Sequence, residues 1–454
     1  MTPGARVQAA IDVMGRIAAF AQPAERSVTE YLRGRRYIGS KDRRAITDSV
    51  FAVLRALARL DWWWARAGGA DVDAAAAAAA TGGDPRGRVL AALVLVDGYD
   101  ADGVAALCAG GAYAAAPPDP DEHARLNALG GQPMSHPEQP DWVRAETPAW
   151  LLPAFETMFG AGAPGELAAL AEPAPVDLRV NTLRADSRDD AAAALAEAGI
   201  ATGPAPYAPL GLRVAGRRAV TATPAFKDGR VEIQDAGAQV AAALADAHPG
   251  MAVCDLCAGA GGKTLALAAA MRDTGRLVAL DRDDDRLAAA EPRLRRAGAH
   301  GVERRLLAAP DDPWLDDNRA SFDRVVVDAP CSGSGTWRRH PDQRWRLTEA
   351  ALNARIAEQR ETLANAATLV KPGGRLIFIT CSLLPAETHA RVSELRTQHP
   401  DLVPLSVGEI WASAIGGEPP CEPDAGALLL TPGRHGTDGF FVAVLARRSA
   451  GPAP

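Results

Sequence analysis

The stretch DLCAGAGGKT, residues 255 to 264, decides how the rest of the chain is read. Ahead of it, Gly250-Met-Ala-Val-Cys254 is short and apolar and reads as a buried strand. Behind it, LALAAAM at residues 265 to 271 reads as a helix. Strand, glycine-rich turn and helix make the βα unit that cradles a nucleotide. Gly259, Gly261 and Gly262 let the backbone turn tightly and approach a ligand closely. Arg276-Leu-Val-Ala-Leu280 reads as the next strand, and Asp281 closes it. A carboxylate about 20 residues past such glycines is where a ribose diol is gripped. A glycine turn alone also serves to pack a helix on a strand. Turn and acid together point to an adenosine-containing cofactor. Lys263 makes a phosphate-binding loop the rival, but the four-residue spacer and second glycine of that loop are missing, which argues against ATP or GTP.

From Asp235 onward helix, strand and loop alternate, which predicts a doubly wound α/β domain with a mostly parallel sheet. Strands are expected at 251–255, 276–280, 302–307, 323–328 and 374–380. A final pair near 427–431 and 439–446 should close the sheet as an antiparallel edge.

The chain has 454 residues, of which 48% are hydrophobic and 23% charged, the proportions of a globular protein of two to four domains. No apolar run is long enough for a transmembrane helix, and MTPGARVQAAIDVM is too polar for a secretion signal. Six cysteines at irregular spacing predict reduced thiols in a cytoplasmic protein rather than a disulfide framework. The net charge of −7 does not favour nucleic acid, so any RNA contact must come from local basic patches. Nothing demands more than a monomer.

Upstream, residues 5 to 66 read as helical, with Ala10, Val13, Ile17 and Phe20, then Ile46, Val50, Val53, Leu54 and Leu57, at helical spacing. Ser40 is placed to cap the second helix. RGRRYIGSKDRR, residues 33 to 44, holds six basic residues and one acid and reads equally as a solvated connection or an RNA-backbone contact. Trp62, Trp63 and Trp64 read as helix packing. Residues 74 to 80 are low-complexity alanine, 88 to 115 read as two apolar helices, and 116 to 140 as a Pro- and Asp-rich linker. A small α+β unit follows to residue 235. Its strands are expected at 177–181, 211–214 and 230–234, and its helix at 187–198, capped by Ser187.

Two more stretches carry chemistry. Phe322-Asp-Arg-Val-Val-Val-Asp328 is a strand followed by Ala-Pro-Cys331-Ser-Gly-Ser-Gly, and a second strand ending at Ile379 is followed by Thr-Cys381-Ser. Both cysteines fall past the carboxyl end of a strand, the edge of an open α/β sheet where ligands bind. Cys254 and Cys257 form a C-x-x-C, but no second pair accompanies them and no metal is expected. Cys108 and Cys421 read as incidental.

DLCAGAGGKT, DAPCSGSGTWRRHPD and TCSLLPAE together resemble the RsmB/NOP/Sun family of S-adenosylmethionine-dependent RNA cytosine-5 methyltransferases, over about Asn181 to Leu445. VEIQDAGAQ, residues 231 to 239, resembles the start of that family's catalytic domain. GSKDRRAITDSVFAVLR, residues 39 to 55, is similar to the NusB-like RNA-binding domain of the RsmB branch. The resemblance implies a Rossmann-like class I methyltransferase domain over 236–448. A small α+β substrate-binding domain over 141–235 and an all-α NusB-like domain with linker over 1–140 would precede it.

It further implies that Cys381 is the nucleophile, that Cys331 assists product release, and that Asp328 holds the cytosine edge beside the cofactor. Cys257, Ala258, Gly259, Ala260, Gly261, Gly262 and Lys263 would form the methionine- and ribose-binding loop, and Asp281 would take the ribose hydroxyls. Arg286 would border the same pocket, unless it lies on a solvated helix face. A free thiol of pKa ~8.5 is mostly protonated at neutral pH, so the site is expected to lower that value. The substrate implied is small-subunit rRNA. A tRNA methyltransferase of the same chemistry and a non-catalytic RNA-binding ribosome-assembly factor are the alternatives. The chain departs from the family pattern at Gly259-Ala260, at Ala308-Ala309, where an acid facing the adenine is expected and Asp311 or a backbone group must substitute, and around Glu387, where an acidic run is broken. Trp337 to Arg346, with four arginines and two tryptophans, is expected to meet RNA at the substrate mouth.

Overall fold

The computed structural model describes residues 1 to 449 apart from 82, 112, 217, 423 and 424. The chain divides into two compact units. One holds Met1–Pro173 with Trp337–Leu347, and the other Ala174–Thr336 with Thr348–Pro454.

The first unit is helical. Its helices include Pro3–Ile17, Ala24–Arg33, Ser40–Arg55, Leu57–Ala67, Val72–Thr81, Pro85–Leu95, Ala101–Cys108 and Pro120–Leu129. The periodic positions Ala10, Val13, Ile17, Ile46, Val50, Val53, Leu54 and Leu57 are all buried, and Phe20 packs partly buried against them. Trp62 and Trp63 lie inside the same core. Ser40 opens its helix rather than capping it; Gly39 is the cap and offers no side chain.

The stretch read as a linker contains the helix Pro120–Leu129. Its Pro and Asp are start signals: Asp119 and Glu122 form a reciprocal capping box, and Leu126 and Leu129 are fully buried. A second carboxylate serves the helix Leu57–Ala67, whose first N–H groups lack intrahelical acceptors. Glu146 accepts from the Ala58 and Arg59 amides, each at 3.0 Å.

Of the stretch Trp337 to Arg346, expected to meet RNA at the substrate mouth, the structure withdraws Trp337 and Arg344. Trp337 is fully buried against Phe155, with ring centroids 5.4 Å apart. Arg344 is also fully buried and donates to the carbonyls of Glu146 at 2.6 Å and Leu170 at 2.8 Å. The Asp342 carboxylate accepts from the Ala24 amide at 3.0 Å. These side chains fasten the segment into the helical unit, so Trp337 and Arg344 have no face left for a base or a phosphate.

The second unit carries two sheets. The smaller is antiparallel, in the order β2-β3-β1-β4, from β1 (Asp177–Val180), β2 (Thr202–Pro204), β3 (Gly211–Val214) and β4 (Val231–Ile233). The helix Arg188–Glu197 packs on it, with Ser187 accepting from the Asp190 amide as its cap. The larger sheet has β5 (Ala252–Leu256), β6 (Arg276–Asp281), β7 (Val302–Leu306), β8 (Phe322–Asp328), β9 (Val370–Thr380), β10 (Leu402–Pro404), β11 (Leu428–Leu430) and β12 (Phe440–Arg447). Its order is β10-β12-β9-β8-β5-β6-β7, with β11 also on β12. β12 was expected near the edge but lies between β9 and β10, paired antiparallel with both.

Strands β7, β6, β5, β8 and β9 run parallel. Cys254, Val278, Val325 and Phe378 are fully or almost fully buried in this central part, as strands covered on both faces must be. The chain runs outward through β6 and β7, then returns to the other side of β5 as β8. That reversal is the topological switch point of an α/β sheet, where ligands bind. The loops after β6, β5, β8 and β9 therefore lie side by side along one carboxyl edge.

Candidate active site

The loop after β5 folds as its glycines predict. Cys257, Gly259 and Gly261 all take left-handed backbone angles, with φ of 70°, 55° and 79°. Gly261 then caps the helix Gly262–Ala270. The loop is tied down on every side. The Ala258 amide donates to the Leu280 carbonyl at 2.8 Å, and the Ala260 carbonyl accepts from Arg293 at 2.6 Å. The Gly262 carbonyl accepts from Gln234 at 3.2 Å. Asp281 accepts from the Gly259 amide at 2.7 Å and the Asp283 amide at 2.9 Å, one on each carboxylate oxygen. Each oxygen keeps a second lone pair for a diol.

A Cβ built on Gly259 meets no atom within 4 Å, so the loop faces open space. Three carboxylates surround it. Asp281 and Asp328 are partly exposed, and Asp255 is fully buried. Asp255 accepts from the Thr264 hydroxyl at 2.5 Å, while its other oxygen has no hydrogen-bond partner. Burial, then the Asp328 and Asp281 charges, push its pKa up to about 7 against that hydrogen bond and Lys263. A turn open to a ligand and rimmed by acids fits a ribose-bearing, positively charged cofactor.

Lys263 is buried in the first turn of the helix, and its Nζ lies 2.6 Å from the Asp328 carboxylate. This contact joins the β5 loop to the end of β8. Three residues on, Cys331 meets Cys381 from the end of β9: their Sγ atoms are 3.4 Å apart and both thiols are free. The adjacency of β8 and β9 produces this meeting, with Cys331 three residues past the end of β8 and Cys381 one residue past the end of β9.

Not every candidate joins the cluster. Arg286 is mostly exposed and paired with Asp283 at 3.6 Å, on the solvated side of its helix. At Ala308-Ala309, Asp312 rather than Asp311 turns back to the loop, accepting from the Ala308 amide at 3.1 Å. Cys254 is fully buried in β5, and burial raises its pKa, as does that of Cys257. Among the described residues no cluster of His, Cys, Asp and Glu is arranged to hold a metal.

The site was expected to make the Cys381 thiol ionise more readily than a free one; in the cofactor-free protein its surroundings act in the opposite direction. The hydrogen bond between its protonated thiol and Cys331, then burial, then the Cys331 and Asp328 charges raise its pKa well above the ordinary range; Lys263 opposes them. In the cofactor-free protein Cys381 should therefore react with iodoacetamide at pH 7 more slowly than a free cysteine, and faster as pH climbs through the alkaline range. Asp328→Asn removes a charge that raises the pKa and should speed the reaction. Peptide mapping of the alkylated protein at several pH values measures this. A rate at pH 7 equal to that of free cysteine would contradict the assignment.

The family description "16S rRNA methyltransferase RsmB/F" matches residues 242–446, and its ferredoxin-like domain matches 147–221. The chain is 35% identical over 304 residues to a probable ribosomal RNA small subunit methyltransferase B of Synechocystis sp., covering 66% of each protein. The chain belongs to the RsmB/F methyltransferase family. A second member, ribosomal RNA small subunit methyltransferase B of Serratia proteamaculans, is 34% identical over 56% of this chain and 58% of its own. The chain thus spans 66% and 58% of the lengths of these two relatives. The crystal structure of a methyltransferase homolog from Pyrococcus horikoshii is similar in fold, with a TM-score of 0.56 at 28% identity, covering 67% of this chain and 97% of that one. The crystal structure of PH0851 resembles the fold over 98% of this chain and 99% of its own, with a TM-score of 0.73 at 24% identity.

Reading the sequence missed the polar network behind Cys331 and Cys381, formed by Ser332, Ser334, Gln359, Ser382 and Glu387. The serines flanking each cysteine were the available signal. Gln359 lies in the helix Glu349–Leu369, which carries no motif.

Proposed function

We propose that the protein is an S-adenosylmethionine-dependent RNA (cytosine-C5)-methyltransferase that works through a covalent cysteine–C6 adduct, with small-subunit rRNA as substrate. The observation that carries this reading is the pair of free thiols in contact at 3.4 Å, beside an open glycine turn rimmed by carboxylates. The rRNA substrate rests on the names of the relatives and on the helical domain over 1–140, read as NusB-like and RNA-binding. The α+β domain over 141–235 and the methyltransferase domain over 236–448 complete the working division.

The loop from Cys257 to Lys263 holds the cofactor, with Asp281 on the ribose hydroxyls. Bound there, S-adenosylmethionine supplies a methyl electrophile and a positive charge. C5 of cytosine is too weak a nucleophile to take that methyl unaided. The Cys381 thiolate adds to C6, forming an Sγ–C6 bond and moving the C5–C6 π pair onto C5. Asp328 holds the N3–N4 edge of the ring while the charge develops. Once C5 carries the methyl, its proton must leave. Cys331 takes it, the C–H electron pair restores the C5–C6 bond, and the Sγ–C6 bond breaks to free Cys381. The target base leaves any stack to reach these groups.

The test is nucleoside analysis. Unmodified small-subunit rRNA incubated with the protein and S-adenosylmethionine should yield 5-methylcytidine. Methylation at another atom or base would overturn the cytosine-C5 reading, methylation of tRNA alone would overturn the rRNA substrate, and no product from any RNA would favour the assembly-factor alternative.

A further inference from the structure

Six residues past Cys381, Glu387 closes the short turn Pro385–Glu387 and is fully buried. Among the described residues no basic side chain pairs with it; its carboxylate is satisfied by hydrogen-bond donors alone. One oxygen accepts from the Ser332 amide at 2.8 Å and from Gln359 Nε2 at 3.2 Å. The other accepts from the Ser332 hydroxyl. Gln359, also fully buried, gives the same Nε2 group to the Pro330 carbonyl at 2.8 Å. The peptide groups on both sides of Cys331 are thus gripped, Pro330 by Gln359 and Ser332 by Glu387. Glu387 itself belongs to the loop that carries Cys381.

The serines extend the same clamp. Ser382 Oγ lies 3.3 Å from Ser332 Oγ and 3.2 Å from Ser334 Oγ, and Ser334 Oγ accepts from the Leu383 amide at 2.8 Å. The Gly335 amide donates to the Cys381 carbonyl at 2.8 Å. A buried carboxylate is costly unless its donors are fixed, so a network of this kind holds a single arrangement of the loops. What that arrangement sets is the contact between the two thiols.

We propose that Glu387 is a positioning residue for product release: it holds the Cys331 loop so that the Cys331 thiol stays against Cys381. The inference rests on the two-thiol reading above. It makes a prediction that a merely structural role does not. Loss of Glu387 frees the Cys331 loop but leaves Cys381 on its strand, so C6 addition survives while proton removal and release slow. Glu387→Ala should then lower kcat about 100-fold, the scale of a displaced catalytic group, and accumulate covalent protein–RNA adduct. Glu387→Gln keeps one acceptor for Ser332 and should recover part of kcat. Ser332→Ala deletes only the hydroxyl link and should show a smaller rise in adduct, which keeps the test open if Glu387→Ala does not fold.

The measurement is the adduct fraction on denaturing gels with unmodified small-subunit rRNA and S-adenosylmethionine, alongside kcat and KM. Adduct rising in Glu387→Ala or Ser332→Ala supports the proposal. Lost turnover without adduct in these variants, while Cys331→Ala still traps RNA, overturns it. No adduct even in Cys331→Ala overturns instead the two-thiol reading on which it stands.

Discussion

Cys381→Ala should reduce 5-methylcytidine formation by at least about 10⁴-fold, to the limit of detection, with the fold and the glycine loop intact. Removing a covalent nucleophile removes the whole pathway it opens, and single losses of this kind cost as much as deleting the full catalytic set. Cys381 follows a strand whose own core residues, Leu376 to Ile379, are fully buried without it, so alanine leaves packing almost unchanged. Lys263 and Asp328 stay paired in this variant, since their contact does not involve the thiol. Cofactor binding by calorimetry should therefore survive while turnover does not. Residual turnover within tenfold of wild type would mean that C6 addition by Cys381 is not the route.

The second large effect is in the helical unit. Asp61 and Arg88 form a bidentate pair with both contacts at 2.7 Å, and both side chains are buried. The Gly83 amide adds a third donor to Asp61 at 3.1 Å. Burial still raises the Asp61 pKa, so the pair does not fully offset the desolvation of its carboxylate. Asp61→Ala leaves the Arg88 guanidinium buried without its partner and should cost about 3–5 kcal/mol. Asp61→Ala combined with Arg88→Leu removes both charges and should recover most of that loss. Thermal unfolding of the three proteins checks this. Equal destabilisation by the single and double variants would contradict it, because the cost would then lie in lost packing.

Much of this was legible in the sequence because local chemistry and global topology agree. The glycines at 259, 261 and 262, the alternating strands and elements, and the strand-ending acids Asp281 and Asp328 each demand one local conformation. The parallel sheet then gathers the loops they define along one edge. Long-range burial was not legible. Trp337 and Arg344 look like RNA contacts when read as a basic aromatic run, yet they are fully buried in the helical unit. The Pro120–Leu129 helix looked like linker because its capping residues are also turn formers. The direction of the Cys381 pKa depends on which groups touch the thiol, and sequence alone does not tell that the Cys331 hydrogen bond and Asp328 outweigh Lys263. Glu387 was visible only as the remnant of an acidic run; its role depends on Ser332 and Gln359 from two other segments.

The central claim is that two thiols divide attack and release between them. The most direct measurement is to mix Cys331→Ala with S-adenosylmethionine and unmodified small-subunit rRNA and to resolve the products on a denaturing gel. The account predicts a covalent protein–RNA adduct, with the RNA mapped to Cys381, that disappears in Cys331→Ala/Cys381→Ala. No adduct, or an adduct that persists in the double variant, would contradict it.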